Sequence, residues 1–122
     1  RFVTPAQQAP LMAAIADIIA AEDVPGTTAT LTARPGFPPL EEKYAAPLFA
    51  LYEPTARGLG FEVEGEFTGG CADSGFTASL GVPTLCGLGP VGGRAHTDEE
   101  FCRLDTLVPR TQALAATLCR LA

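Results

Sequence analysis

Apolar and polar positions alternate along the chain in stretches of two different periods. Residues Arg1 to Thr4 resemble the tail of a strand, and Thr4-Pro5 suits a helix start, with Thr as N-cap and Pro at the first helical position. The run PAQQAPLMAAIADIIAAED then places Leu11, Ile15, Ile18 and Ile19 on one helical face and stops at Val24-Pro25-Gly26. TTATLTA, residues 27–33, is rich in Thr and β-branched side chains and predicts a strand. RPGFPP, residues 34–39, is a Pro/Gly-rich break and the best candidate for an interdomain linker.

A helix is expected from about Tyr44 to Arg57, with Pro47 tolerable only in its first turn and Pro54 kinking or ending it. FEVEGEF, residues 61–67, alternates with period two and sets Glu62, Glu64 and Glu66 opposite Phe61, Val63 and Phe67. That row of acids is read as the solvated face of a strand. A short helix from about Cys71 to Leu80 and a short strand over Pro83 to Cys86 follow, then a glycine-rich loop from Gly87 to Glu100. The last helix is expected from Asp105 or Thr106, capped by Asp105, with Pro109 in its first turn and an apolar stripe of Leu107, Leu114, Leu118 and Leu121. The order β-α-β, break, α-β-α-β-α predicts α/β layering with the end of a second, smaller element in front.

At 122 residues there is room for one domain's worth of chain, and 47% apolar residues with a mean hydropathy of +0.21 supply a core. The net charge of −6 and a pI near 4.6, without a basic run, argue against nucleic acid or an anionic membrane as partner. The longest apolar stretch, Leu11 to Ala21, is interrupted by Asp17, too short to span a bilayer. Cys71, Cys86, Cys102 and Cys119 lie 15, 16 and 17 residues apart, without a CxxC pair and with one histidine in the chain. Reduced, buried thiols and a cytoplasmic setting are therefore expected.

Chemistry concentrates in three places. His96 sits in the glycine-rich loop beside Asp98, Glu99 and Glu100; a loop imidazole near carboxylates is a candidate metal ligand, and equally an ordinary surface histidine. GGCADSGF, residues 69–76, is a Gly-Gly turn into a helix, whose free N–H groups suit an anion. It lacks GxGxxG spacing, a Walker lysine and GxSxG, so neither a nucleotide nor a Ser74 nucleophile is supported. Asp73 most simply complements the helix dipole, and a Cys71/His96 nucleophile is a minor alternative. Arg34, at the break, could grip a carboxylate bidentately or be a plain surface charge.

The run GGCADSGFTASLGVPTLCGLGPVGGRAHTDEEFCRLDTLVPR resembles the C-terminal end of the co-catalytic zinc exopeptidase/deacylase family. That family includes glutamate carboxypeptidase, acetylornithine deacetylase, succinyl-diaminopimelate desuccinylase and aminoacylase, and the glutamate carboxypeptidase branch looks most similar. RFVTPAQ and LTARPGFPPLE resemble the family's lid domain and its exit, so the resemblance covers essentially the whole chain.

The resemblance implies a C-terminal part of a three-layer α/β catalytic domain over residues 37–122, preceded by the last helix and strand of an α+β lid, or dimerisation, domain over residues 1–36. It implies that His96 is the last zinc ligand and that Arg34 grips the free carboxylate of the substrate. Gly69 and Gly70 would line the substrate site. The whole enzyme would use two zincs and a general-base Glu, both of which need residues not in this chain, to hydrolyse an amide bond in a small peptide or N-acyl amino acid. This chain alone is then expected to be inactive, and the enzyme to be a homodimer. Ala72 stands where the family usually has Ser or Thr, and Gly75 where Asn or Arg is common; both remove polar groups near the substrate. The alternative is a non-catalytic binding or oligomerisation module derived from the family.

Overall fold

In the computed structural model, every residue except Glu22, Ala33 and Ala122 is described. The elements run α1 (Pro5–Ala20), α2 (Glu42–Gly58), α3 (Ser74–Ser79), β1 (Gly92–Gly93), β2 (Phe101–Cys102), a 3-10 turn (Leu104–Thr106) and α4 (Leu107–Cys119). The one sheet among the described residues is the antiparallel pair β1–β2, with Gly92 opposite Cys102 and Gly93 opposite Phe101.

α1 begins as its sequence predicts. Thr4 is extended, Pro5 opens the first turn, and the Gln7 side chain accepts from the N–H groups of Thr4 at 3.2 Å and Val3 at 2.9 Å. The end of its expected run includes Glu22, which lies outside the described residues. No residue of α1 is buried, and its apolar stripe, Ile18 above all at 68% exposure, faces outward.

α2 corrects the expected treatment of its two prolines. It starts at Glu42, so Pro47 falls in the second turn, and it runs past Pro54 to Gly58. The carbonyls that the prolines cannot satisfy belong to Lys43 and Ala50. All four residues are exposed and share one helical face, so the freed carbonyls are not shut away from solvent. The opposite face buries Tyr52, Thr55 and Ala56.

The core forms where that face meets α4. Tyr52, Ala56 and Ala113 are fully buried, with Phe61, Val63, Leu85 and Leu88 packed around them. Small side chains at Ala56, Ala113 and Thr117 let the helices approach closely, and the larger leucines are left outside. The expected stripe of Leu107, Leu114, Leu118 and Leu121 is thus corrected: all four are exposed, and Ala113 and Thr117 carry the buried face. Arg120 crosses between the helices, donating from Nη1 to Thr55 Oγ1 at 2.8 Å.

Four predicted strands, the Arg1–Thr4 tail among them, are not strands. Residues 61–67 and 83–86 lie outside any helix or ladder, as do residues 27–32; Ala33, the end of that last segment, lies outside the described residues. Period-two alternation makes a segment able to pair, and only a neighbouring backbone makes it a strand. Residues 83–86 are tied to α2 by a bond from Thr84 N–H to the Tyr44 carbonyl at 2.9 Å. Helices together with a two-stranded hairpin are compatible with the α/β expectation at its coarse level. The 71–80 helix is likewise shorter than expected, Ser74–Ser79. No helix is long and apolar enough to cross a membrane among the described residues.

Candidate functional site

His96 stands on the tip of the β1–β2 hairpin, in the connection formed by residues 94–100. Both Arg94 and His96 adopt positive φ, 56° and 66°. This left-handed conformation costs an L-residue about 1–2 kcal/mol and persists only where the surroundings enforce it. The enforcement comes from the loop itself. Thr97 donates from its hydroxyl to the Arg94 carbonyl at 2.8 Å, Glu100 N–H to the Thr97 carbonyl at 3.1 Å, and His96 N–H to Glu100 Oε2 at 3.2 Å. The Arg94 guanidinium pairs with Glu99 across the same turn. The imidazole is exposed and has no hydrogen-bond partner among the described residues.

The base of the hairpin is fixed from the 3-10 turn ahead of α4. Thr106, which precedes α4, accepts from Val91 N–H at 2.9 Å, and Arg103 N–H donates to the Val91 carbonyl at 2.8 Å. Asp105 does not cap α4 as expected; it takes both Nε and Nη2 of Arg103, the latter at 2.6 Å. That pairing holds the Asp105 carboxyl below, and the Arg103 guanidinium above, their ordinary values, the hydrogen bond between them being the main cause in each. Arg110, inside α4, donates to the carbonyls of Gly89 and Gly87 and lies over the Phe61 ring. The sequence pattern assigns Arg110 no role; its place one turn into a helix that follows a glycine-rich loop is the available signal.

Gly69 and Gly70 lie in an exposed turn ahead of α3. The Arg1 guanidinium packs against Gly69, within 2.6 Å of where a Cβ would stand, and Gly70 N–H donates to Thr68 Oγ1 at 3.2 Å. Arg34 is exposed and unpaired among the described residues. Just beyond it, the expected linker is docked on α3. The Phe37 and Phe76 rings meet at 5.3 Å, tilted by 54°, and the Pro38 carbonyl abuts Gly75. Among the described residues no hydrogen bond or ion pair joins His96, Arg34 and the Gly69–Gly70 turn to one another; the chain presents them on three separate segments.

The donor set around His96 does not close a metal site by itself. Glu99 is taken by Arg94 and Glu100 by the His96 backbone. Among the described residues no three His, Cys, Asp or Glu side chains gather in a way that could hold a metal ion. The four cysteines are free, and all are exposed, which corrects the expectation that they are buried.

Residues 4–120 match the sequence model of Peptidase family M20/M25/M40, and the chain belongs to that family. No curated protein and no solved structure matches it. Membership makes the chain part of a metallopeptidase and amidohydrolase family, which is the coarse content of the resemblance read from residues 69–110.

Proposed function

We propose that this chain is the C-terminal part of a zinc-dependent exopeptidase of the glutamate carboxypeptidase type, which hydrolyses an amide bond and releases a terminal amino acid. Residues 1–36 end the lid and residues 37–122 complete the catalytic domain. His96 is one donor to a metal site completed by residues outside this chain, Arg34 grips the carboxylate of the released amino acid, and Gly69 and Gly70 line the substrate. The substrate is a small peptide or N-acyl amino acid, and the enzyme is a cytoplasmic homodimer.

The observation that carries the reading is the strained, internally braced loop at His96, which holds an unpartnered imidazole outward at a cost in backbone energy. A surface histidine without a task needs no such bracing. A second reading, a binding or oligomerising module of the same family, is favoured by the exposed apolar stripe of α1.

One assay separates the two. The whole enzyme is purified with its metal and given N-acylglutamates alongside analogues whose terminal carboxylate is amidated. Chelator-sensitive hydrolysis with a preference for the free acid supports the exopeptidase. A metal-loaded, folded protein inert to both series overturns it in favour of the module.

A further inference from the structure

Residues 94–97 form a four-residue turn at the tip of the hairpin, with Ala95 and His96 at its centre. Thr97 N–H closes it by donating to the Arg94 carbonyl at 3.2 Å, and the Thr97 hydroxyl donates to the same oxygen at 2.8 Å. His96 has a φ of 66° and Ala95 is not among the residues of positive φ, which are the signs of a type II turn. The position His96 fills in such a turn ordinarily goes to glycine or asparagine, because a Cβ is strained there. A type I turn has the same closing bond and would place His96 at negative φ, where an L-residue is at ease.

The two forms differ by a rotation of roughly 150–170° in the peptide plane that joins residues 95 and 96. Something must therefore hold that plane in the strained orientation. The N–H it carries is that of His96, which donates to Glu100 Oε2 at 3.2 Å. Glu100 is placed for this by a second turn, closed by its own N–H on the Thr97 carbonyl at 3.1 Å. Glu99 N–H donates to Thr97 Oγ1 at 3.3 Å inside that turn. Turning the 95–96 peptide over would take the N–H away from Glu100 and aim the Ala95 carbonyl at its carboxylate. An attractive contact to a charged acceptor would become a repulsive one. Glu100 thus selects the type II form. The two forms also aim the His96 Cα–Cβ bond differently, and the ring nitrogens lie several bonds further out, so the difference is magnified at the donor atom.

We infer that Glu100 is a positioning residue for the His96 imidazole: by accepting the His96 N–H, its carboxylate holds the 95–96 peptide in the orientation that aims the ring. The inference rests on the proposed role of His96 as a metal donor. It assigns Glu100 to the backbone of the loop and not to the metal. What matters in Glu100 is then the reach of its side chain and an acceptor oxygen at the end of it, more than its negative charge.

The test uses the whole enzyme and measures its zinc affinity by competition with a chelator, beside kcat for an N-acylglutamate. The variants are Glu100→Ala, Glu100→Gln, Glu100→Asp and His96→Ala. Gln keeps the reach and an acceptor oxygen without the charge, and Asp keeps the charge but is one methylene shorter. Glu100→Ala and Glu100→Asp are expected to weaken zinc binding roughly ten- to a hundredfold, the usual range for a residue that orients a metal ligand. Glu100→Gln should stay within about threefold of the parent, and kcat should follow the same order. If Glu100 acts through its charge, or is itself a metal ligand, Asp will hold zinc as well as Gln or better, which overturns the inference. If Glu100→Ala does not fold, the order of Gln and Asp decides alone. Parent-level affinity in all three Glu100 variants, with zinc lost in His96→Ala, also overturns it and leaves His96 as a metal donor. Parent-level affinity in His96→Ala removes the reading on which the inference rests, and the inference with it.

Discussion

Arg110 donates from Nη2 to the carbonyl of Gly87 at 3.1 Å, and from Nε to that of Gly89, so one side chain of α4 holds the glycine-rich loop that leads to His96. Its guanidinium lies 5.9 Å above the Phe61 ring, which ties the segment after α2 into the same junction. Hydrogen bonds to a charged donor contribute about 1.5–3 kcal/mol, so Arg110→Ala is expected to lower stability by about 2 kcal/mol in a urea titration. Arg110→Lys should recover less than half of that, because an ammonium cannot offer the planar fork that bridges two carbonyls. Full recovery by Lys would show that charge alone holds the loop.

The helices were legible because their signals are local. Thr4-Pro5 and the period of Leu11 to Ile19 each lie within a turn or two of sequence. The strands were not, because alternation in FEVEGEF reports a segment's capacity to pair and says nothing of a neighbour. The prolines of α2 misled for a related reason: their cost depends on whether the freed carbonyls face water, which is settled by packing against α4. At the candidate site, His96 stood out as a histidine among glycines and acids. Its left-handed backbone could not be read, since propensity puts glycine there. Gly75 was visible only as a missing polar group, and the Pro38 carbonyl that requires it became evident in three dimensions.

Tyr52 is buried to 1% exposure, and its hydroxyl has no hydrogen-bond partner among the described residues. A buried, unpartnered hydroxyl costs on the order of 1–3 kcal/mol. Tyr52→Phe keeps the ring that fills the core beside Ala56 and Ala113 and removes that cost. The variant is expected to be as stable as the parent or up to about 1 kcal/mol more so, read from chemical denaturation. A loss of more than about 1 kcal/mol would mean that the hydroxyl has a partner, such as an ordered water.

The Asp105 carboxyl is held below its ordinary value by the Arg103 hydrogen bond. A carboxyl whose folded value is depressed binds its proton less readily in the native state than in the unfolded chain. It therefore stabilises the fold above the unfolded value, and that contribution fades as pH falls through the folded one. Both partners are exposed, so the effect is small. Asp105→Asn should show a slightly lower melting temperature than the parent at neutral pH, with the gap closing in strong acid. A gap independent of pH would assign the loss to the geometry of the 3-10 turn instead of to the charge.

If the proposed function holds, His96→Ala and Arg34→Ala should fail in different ways. His96 is proposed as a metal donor on a hairpin held in shape by Thr97, Glu100 and the Arg94–Glu99 pair, none of which needs the imidazole. Its removal should leave the loop folded while metal content and kcat fall together. Arg34 is exposed and proposed to meet the substrate in its ground state, so its removal should chiefly raise KM and leave metal content at the parent level. A charge-assisted hydrogen bond is worth about 1.5–3 kcal/mol, which sets the loss in kcat/KM for Arg34→Ala at roughly ten- to a hundredfold. If the same grip also aligns the scissile bond, kcat falls as well, still without loss of metal. Metal analysis beside steady-state kinetics on the two purified variants makes the distinction. Parent-level metal and activity in His96→Ala would take the histidine out of the metal site, and the strained hairpin would then need another explanation.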